Sequence, residues 1–126
     1  MKENHYYATN YDNKEQFFSY WHQIDEILSL NAEEVLEIGK GNGFVSNYLL
    51  GRGKKLFTLD INKGLIPDVV GTVREMPFCS ETFDVVACYE VLEHLPYDFF
   101  CDALKELYRV SRSHVILSLP DRSGRA

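Results

Sequence analysis

The sequence predicts an α/β fold, with a mostly parallel sheet and helices on both of its faces. Short apolar segments alternate with segments of helical period, which is typical of parallel strands joined by right-handed crossovers. A glycine-rich turn, residues 39–43, follows the first apolar segment, and Asp60 ends the second. At 126 residues the chain has the size of one domain. We divide it into an N-terminal cap segment with a helix, residues 1–30, and a core, residues 34–120.

The first half of the chain contains two predicted helices and two predicted strands. Residues 13–30 form a helix, because four apolar side chains recur at i, i+4, i+7 and i+11 and therefore share a face. These are Phe17, Trp21, Ile24 and Leu28. Residues 34–38 form the first strand, residues 44–50 a helix that ends at Gly51, and residues 56–59 the second strand.

The second half continues the alternation. Residues 68–73 form a short edge strand or an extended loop, because the preceding link is too short for a helical crossover. Residues 83–88 form a strand covered on both faces, residues 97–110 a helix and residues 114–119 the last strand. We therefore expect a sheet that is incomplete after its fifth strand. Its apolar edge would be covered by a second copy of the chain in a homodimer, or by a missing C-terminal part.

The composition argues against several functional classes. A net charge of −6 disfavours nucleic acid as a partner. The two short basic clusters, Arg52/Lys54/Lys55 and Arg109/Arg112, are interpreted as solvated surface charge. No apolar run has the roughly 20 residues needed to span a membrane, and the three widely spaced cysteines form no disulfide framework. The sequence thus predicts a cytoplasmic protein with no membrane span.

The glycine-rich turn and Asp60 together predict a nucleoside site. Glycines between a strand and a helix let a ligand approach the main chain closely, and Gly39, Gly41 and Gly43 stand at this point. An acidic side chain at the end of the neighbouring strand can accept hydrogen bonds from both ribose hydroxyls. We therefore expect the ligand across the carboxyl ends of the first two strands.

Two details of the turn distinguish the nucleoside cofactors. The dinucleotide fingerprint is G-x-G-x-x-G, whereas this chain has G-x-G-x-G. Glu37 stands two residues before the first glycine, where its charge would repel a pyrophosphate and attract a cation. Both details favour S-adenosylmethionine (SAM), which carries a sulfonium and an ammonium and no phosphate. An NAD-binding domain stays open as the disfavoured alternative, as do glycines that make only a tight turn.

From Val35 to Pro120 the sequence resembles class I SAM-dependent methyltransferases. The segment VLEIGKGNG matches their glycine-rich motif, LDIN their acidic strand end, and MPFCSETFDVVACYEVLEHL their central region. The resemblance is strongest with small methyltransferases similar to the quinone-biosynthesis O-methyltransferases. It implies a Rossmann-like fold and transfer of a methyl group to an unidentified acceptor, expected to be a small molecule. The competing hypothesis is a remnant or truncated domain that binds SAM without transferring the methyl group.

The resemblance also implies the residues that bind the cofactor. Glu37 would contact the methionyl amino group, and Asp60 would hold the ribose. The methionine moiety would lie along the glycine-rich turn, formed by Gly39, Lys40, Gly41 and Gly43.

The adenine would be bound by residues that follow the second and third strands. By resemblance, Ile61 would pack on the ring. Thr72 stands where the family often has an aspartate that binds the adenine amino group, and its hydroxyl would accept that bond more weakly than a carboxylate. The backbone of Val73 would also read the ring edge.

A second group of chemistry-bearing residues, E-x-x-E-H, follows the fourth strand. If this segment is helical, Glu90, Glu93 and His94 share a face suited to a divalent cation, as residues at this spacing do in similar quinone O-methyltransferases. The favoured alternative is that Glu90 flanks the cofactor and His94 packs or caps the segment. His94 is also the candidate general base, since an imidazole can accept a proton near pH 7.

Aromatic residues are concentrated ahead of the glycine-rich turn. In similar enzymes the N-terminal segment folds over the active site as a lid, where aromatic faces can stabilise a sulfonium. Tyr11 is the strongest candidate for such a lid. Tyr20 fits a lid and a helix that covers the sheet equally well, whereas Trp21 fits the apolar face of that helix.

Overall fold

The computed structural model describes residues 14–118, which form one five-stranded sheet and three α-helices. The helices are α1 (Lys14–Ser29), α2 (Phe44–Gly51) and α3 (Phe100–Val110). The strands are β1 (Glu34–Ile38), β2 (Lys55–Asp60), β3 (Val69–Val70), β4 (Phe83–Cys88) and β5 (Ser111–Leu117). Short 3₁₀ turns lie at Lys63–Leu65, Leu92–His94 and Tyr97–Phe99.

The strands of the described sheet pair in parallel, in the order β3-β2-β1-β4-β5. β1 lies in the middle, so that Leu36 has Phe57 of β2 on one side and Val86 of β4 on the other. The direction of strand order reverses between β1 and β4, and open parallel sheets bind ligands at the carboxyl ends of strands beside such a reversal. The predicted parallel α/β fold is confirmed, and the sheet remains open, with β5 at one edge.

The sheet buries an apolar core on each face. On one face α1 and α2 pack against Val35 and Val85, and on the other face α3 packs against Leu36 and Val86. Neighbouring residues of one strand belong to opposite cores because successive side chains of a strand point to opposite faces. Burial of each such aliphatic side chain contributes about 1.5–3 kcal/mol. This two-sided burial explains why β1 and β4 are apolar at nearly every position.

The buried face of α1 differs from the predicted one. Tyr20 and Ile24 are buried, whereas Phe17 and Trp21 are 47% and 55% exposed. The prediction was wrong for these two residues because apolar side chains occupy a wide arc of α1. The Tyr20 ring stacks on Phe44 of α2, with 5.0 Å between ring centroids, and this contact helps fix which part of the arc faces inward.

β3 has only two residues and forms a short edge strand, which is one of the two alternatives that the spacing left open for residues 68–73. Asp68, which lies just before β3, is hydrogen-bonded to Thr58 of β2. Its Oδ2 atom accepts a hydrogen bond from the backbone N–H of Thr58 at 2.8 Å, and its own N–H donates to Thr58 Oγ1 at 2.9 Å. The link from β2 to β3 contains a 3₁₀ turn instead of a crossover helix.

The arginines of the second basic cluster are bound to the fold rather than being free surface charges. Arg112 Nη1 pairs with Asp84 Oδ1 at 2.9 Å. Hydrogen bonds from the backbone, and then from Arg112, lower the pKa of Asp84. Arg109 Nε pairs with Glu106 Oε2 at 2.6 Å, and its Nη1 donates to the carbonyl oxygen of Phe78 at 2.7 Å. These contacts fasten the loop before β4 to α3 and the first residues of β4 to β5.

Some predicted boundaries shift. α3 begins at Phe100 because the segment after Pro96 first forms a 3₁₀ turn, and β5 begins at Ser111, earlier than predicted. The predicted end of the last strand at residue 119, the end of the core at residue 120 and residues 1–13 of the cap segment lie outside the described residues. Within residues 14–118, no helix combines the length and apolar character needed to cross a membrane.

Candidate functional site

Two adjoining cavities lie at the carboxyl ends of β1 and β2. The smaller has a volume of about 80 Å³ and the larger about 340 Å³. Both are lined by the end of β1 and by residues that follow β4, and they share Ile38, Gly39, Glu90 and Val91. One elongated ligand can therefore occupy both cavities while it follows the main chain of the glycine-rich turn.

Glu37 is a buried ionisable group in the wall of the smaller cavity. Its side chain is 6% exposed, and its Oε1 atom has no hydrogen-bond partner within the described part of the chain. Burial raises the pKa of this carboxyl to about 8, while the nearby Lys40 lowers the pKa and Asp60 raises it. A buried polar atom without a partner costs about 1–3 kcal/mol. Its presence in a cavity wall therefore points to a donor supplied by a ligand.

The glycines of the turn allow a conformation that other residues adopt at a cost. Gly39, Gly41 and Gly43 have φ angles of 79°, 60° and 85°, in the left-handed region that side chains disfavour. Gly39 and Gly41 line the smaller cavity. Gly43 lines neither cavity and instead precedes the first turn of α2.

Asp60 lies at the end of β2 and lines the larger cavity. One of its carboxylate oxygens accepts a hydrogen bond from the N–H of Lys40 at 2.8 Å, and the other from the N–H of Asn62 at 2.9 Å. Because each carboxylate oxygen can accept two hydrogen bonds, the fixed carboxylate can still receive donors from a ligand. The Lys40 ammonium donates to the carbonyl oxygens of Leu65 and Ile66, both at 3.1 Å. Lys40 thus ties the glycine-rich turn to the loop after β2.

The other predicted nucleoside-binding residues also line the larger cavity, namely Ile61, Thr72 and Val73. The Ile61 side chain is 75% exposed, which leaves an apolar surface at the rim for a planar group. The Thr72 Oγ1 atom accepts a hydrogen bond from the N–H of Arg74 at 3.2 Å, so its hydroxyl hydrogen stays available for a ligand. The structure therefore brings together the residues that the sequence assigned to the nucleoside.

The Glu90, Glu93 and His94 segment does not form the predicted helical face. Its 3₁₀ turn covers only Leu92–His94, and Glu90 lies before it with a φ of 57°. Glu90 lines both cavities, His94 lines the larger one, and Glu93 lines neither. In residues 14–118 no three His, Cys, Asp or Glu side chains form a group that could hold a metal ion. The proposed ligand set for a divalent cation is thus not assembled.

Among the lining residues of the smaller cavity that the sequence did not indicate are two polar ones, Gln23 and Tyr89. Gln23 is 8% exposed, and its amide donates to Ser19 Oγ at 3.2 Å. The sequence signal that could have identified Gln23 is its polar side chain inside the apolar arc of α1. Tyr89 gave no separate signal because it continues the apolar run of β4. The other lid candidate, Tyr11, lies outside the described residues.

Comparison with known sequences identifies a family. A family model described as a methyltransferase domain matches residues 36–119. The chain is 28% identical over 96 residues to ribosomal RNA small subunit methyltransferase A of Mycoplasmopsis synoviae, a match covering 69% of this chain and 37% of that enzyme. It is 33% identical over 88 residues to ubiquinone biosynthesis O-methyltransferase of Stutzerimonas stutzeri, covering 58% and 38% respectively. The chain thus spans well under half the length of these relatives.

Solved structures share the fold. The PH0226 protein of Pyrococcus horikoshii OT3 matches with a TM-score of 0.71 at 24% identity, over 93% of this chain and 65% of that protein. A SAM-dependent methyltransferase of Aquifex aeolicus matches with a TM-score of 0.58 at 18% identity, over 75% and 62% respectively. These likenesses support the fold alone, whereas the family follows from the match over most of the sequence. The chain therefore belongs to the methyltransferase domain family, as its resemblance to class I SAM-dependent methyltransferases predicted.

Proposed function

We propose that this chain binds SAM across the carboxyl ends of β1 and β2 and acts as a SAM-dependent methyltransferase. The observation that carries the proposal is the buried Glu37 carboxyl in the wall of the smaller cavity, whose Oε1 atom lacks a partner among the described residues. The ammonium of a methionine moiety would donate to this oxygen and favour the charged carboxylate. Membership of the methyltransferase domain family supports the same ligand.

The two cavities suit the two halves of this ligand. The methionine moiety would lie in the smaller cavity against Glu37, and the adenosine in the larger cavity. There Asp60 would accept hydrogen bonds from the ribose hydroxyls, Ile61 would pack on the adenine, and Thr72 would contact the ring edge. A pyrophosphate at this turn would keep the Glu37 carboxyl in its neutral form and gain no ion pair from it, whereas an ammonium favours the carboxylate, so SAM is favoured over NAD.

The chain's own residues bind and position the reactants. When bound, SAM supplies a methyl group that an acceptor can remove from the sulfonium. Glu37 and Asp60 would hold the ammonium and the ribose, which lie on either side of the sulfonium, and would thereby position the reacting centre between the two cavities. Glu90 lines both cavities and would flank this centre. His94, in the wall of the larger cavity, is proposed as the base that takes the acceptor's proton.

We propose a small molecule as the acceptor. The ubiquinone biosynthesis O-methyltransferases among the relatives favour this class. The net charge of −6 also opposes tight binding to a phosphate backbone. The ribosomal RNA methyltransferase among the relatives makes RNA the competing acceptor. A chain that binds SAM and transfers nothing is the third hypothesis.

Calorimetry with S-adenosylhomocysteine (SAH) and with NAD tests the binding half of the proposal. We expect saturable SAH binding and no NAD binding. Glu37→Gln should weaken SAH binding at least tenfold, because a neutral amide replaces the carboxylate beside the ammonium. Glu33→Gln is the matched control, since Glu33 is exposed just before β1 and outside both cavities. NAD binding without SAH binding would refute the proposal.

Transfer of labelled methyl groups tests the catalytic half. The chain is incubated with labelled SAM and either a low-molecular-mass cell extract or total RNA from the same cells. Label in small molecules supports the proposed acceptor class, whereas label only in RNA would replace it. SAH binding together with no transfer to either fraction would support the remnant hypothesis. In an active chain, His94→Ala should lower the transfer rate at saturating SAM at least tenfold, a loss that weaker cofactor binding cannot produce.

A further inference from the structure

A hydrogen bond joins the residue after β4 to the outer side of α1. The Tyr89 hydroxyl donates to Glu26 Oε1 at 2.7 Å, which is the length of a charge-assisted O–H···O bond. The two residues are 63 positions apart in the sequence, so the bond connects separate elements. Burial, and then Glu26, raise the pKa of Tyr89. The hydroxyl therefore remains a donor throughout the pH range in which proteins are studied.

This bond lies beside the cavity assigned to the methionine moiety. Tyr20 and Gln23 of α1 line that cavity, and so does Tyr89, which follows β4. Glu26 follows Gln23 by three positions, which places it in the next turn of α1 on a neighbouring part of the surface. The hydrogen bond thus joins α1, which supplies two lining residues, to a third lining residue from a distant part of the sequence.

Apolar packing alone defines the position of α1 less sharply than a hydrogen bond does. Ile24 and Ile27 bury α1 against the sheet, but such contacts are not directional. A short hydrogen bond is directional and restrains the edge of α1 that faces the cavity. Glu26 is exposed and Tyr89 is half-buried, so removing the bond leaves little buried polar surface unsatisfied. The effect on the cavity can therefore be separated from the effect on folding.

We propose that Glu26 and Tyr89 are a positioning pair that holds α1 closed against the methionine-side cavity and thereby slows release of the cofactor. Neither residue is a catalytic residue. Tyr89 acts through Glu26 on the placement of Tyr20 and Gln23. The inference rests on the proposed SAM site and adds two residues to it that neither the sequence motifs nor the family match assigns.

The test measures SAH affinity and dissociation rate for the full chain and four variants. Tyr89→Phe keeps the ring and removes the donor, and Glu26→Ala removes the acceptor. Each should raise the dissociation rate and the Kd about fivefold to tenfold, the effect of one charge-assisted hydrogen bond at a partly exposed site. Glu26→Gln retains an acceptor oxygen without its charge and should bind SAH with an affinity between those of Glu26→Ala and the wild type. Asp25→Ala, at an exposed neighbour on α1, should behave like the wild type.

Hydrogen exchange of α1 supplies a readout that does not depend on the ligand. In Tyr89→Phe, amides of Lys14–Ser29 should exchange faster while those of β1 and β4 keep their protection. A fifth variant, the double change Glu26→Ala/Tyr89→Phe, should lose no more SAH affinity than either single variant, because the two residues share one bond.

The outcomes separate this inference from the function on which it rests. A wild-type chain that does not bind SAH would overturn both the proposed function and the closure role. A wild type that binds SAH, with Tyr89→Phe unchanged in Kd and dissociation rate, would overturn the inference alone. Additive losses in the double variant, or a Glu26→Gln chain as weak as Glu26→Ala, would also contradict it.

Discussion

Gly39 lies so close to Val91 that a Cβ atom added to the glycine would be 2.5 Å from Val91 Cγ2. The contact lies between the turn after β1 and the segment after β4, where the two cavities meet. Gly39 also has a φ of 79°. Two independent constraints thus require glycine at this position, one from the backbone conformation and one from the space available.

Gly39→Ala should lower both stability and ligand binding. Left-handed strain costs about 1–2 kcal/mol, and overpacking against Val91 adds about 1–3 kcal/mol. Gly53→Ala is the matched control, because Gly53 has a φ of 83° and no heavy atom within 4 Å of its added Cβ. Urea unfolding should therefore show the larger loss for Gly39→Ala, and only this variant should weaken SAH binding. Equal losses in the two variants would mean that strain alone requires the glycine.

The free energy of unfolding should respond to pH through Glu37. The folded state raises the pKa of this carboxyl from 4.5 to about 8, so between these values the folded chain holds a proton that the unfolded chain has lost. This contribution to stability is therefore fully present below about pH 4.5 and is lost as the pH rises through about 8. Its slope is at most about 1.4 kcal/mol per pH unit.

Glu37→Gln removes this titration and should make the chain more stable than the wild type at high pH. The difference in unfolding free energy between variant and wild type should grow from pH 5 to pH 8 and then level off, as measured by urea unfolding. Glu33→Gln, at an exposed position, should show no such trend. Since Glu37→Gln should also weaken SAH binding, stability and binding are expected to change in opposite directions. A constant difference across this pH range would contradict the pKa assigned to Glu37.

The sequence predicts a site residue well when its neighbours in the sequence determine where that residue lies. The motif indicated Glu37, the glycine-rich turn and Asp60 directly, because each lies at or beside the end of a strand and its position follows from the adjoining residues. The shared face predicted for Glu90, Glu93 and His94 required a helix after β4, where the chain forms only a 3₁₀ turn at Leu92–His94. Glu90, in a left-handed conformation, lies outside this turn.

Predictions were poorest where distant elements decide the outcome. The pattern of α1 gave its length but not its orientation, because the buried side of a wide apolar arc depends on partners such as Phe44. Gln23 and Tyr89 belong to one cavity only because the residue after β4 contacts α1. No local spacing encodes such a contact. The parallel pairing of the strands followed from their alternation with helices, whereas the contacts at the cavity required the three-dimensional structure.

Ligand binding should release a proton from Glu37. With a pKa of about 8 the carboxyl is mostly protonated at pH 7, and an adjacent ammonium favours the charged carboxylate. SAH binding at pH 7, measured calorimetrically in two buffers of different ionisation enthalpy, should release close to one proton. In Glu37→Gln the apparent enthalpy should no longer depend on the buffer. Proton uptake by the wild type would contradict an ion pair at this position.

Asp60→Asn separates the structural role of this side chain from its proposed role in binding. The carboxylate accepts the N–H groups of Lys40 and Asn62, and an asparagine can retain only one of these bonds because its second polar atom is a donor. The variant should lose about 1–3 kcal/mol of stability. Its affinity for SAH should fall at least tenfold, because an amide cannot accept hydrogen bonds from both ribose hydroxyls.

Asp68→Asn is the control for this prediction. Asp68 likewise accepts a backbone N–H, from Thr58 at 2.8 Å, but it lies outside both cavities. Asp68→Asn should therefore lose a similar amount of stability. Its SAH affinity should stay near the wild-type value under conditions where both variants are folded. If both variants weaken SAH binding equally, the loss comes from the shared instability of β2 and not from the ribose contact. If Asp60→Asn binds SAH like the wild type, Asp60 serves only to hold the glycine-rich turn, and the ribose must be bound by other groups of the larger cavity.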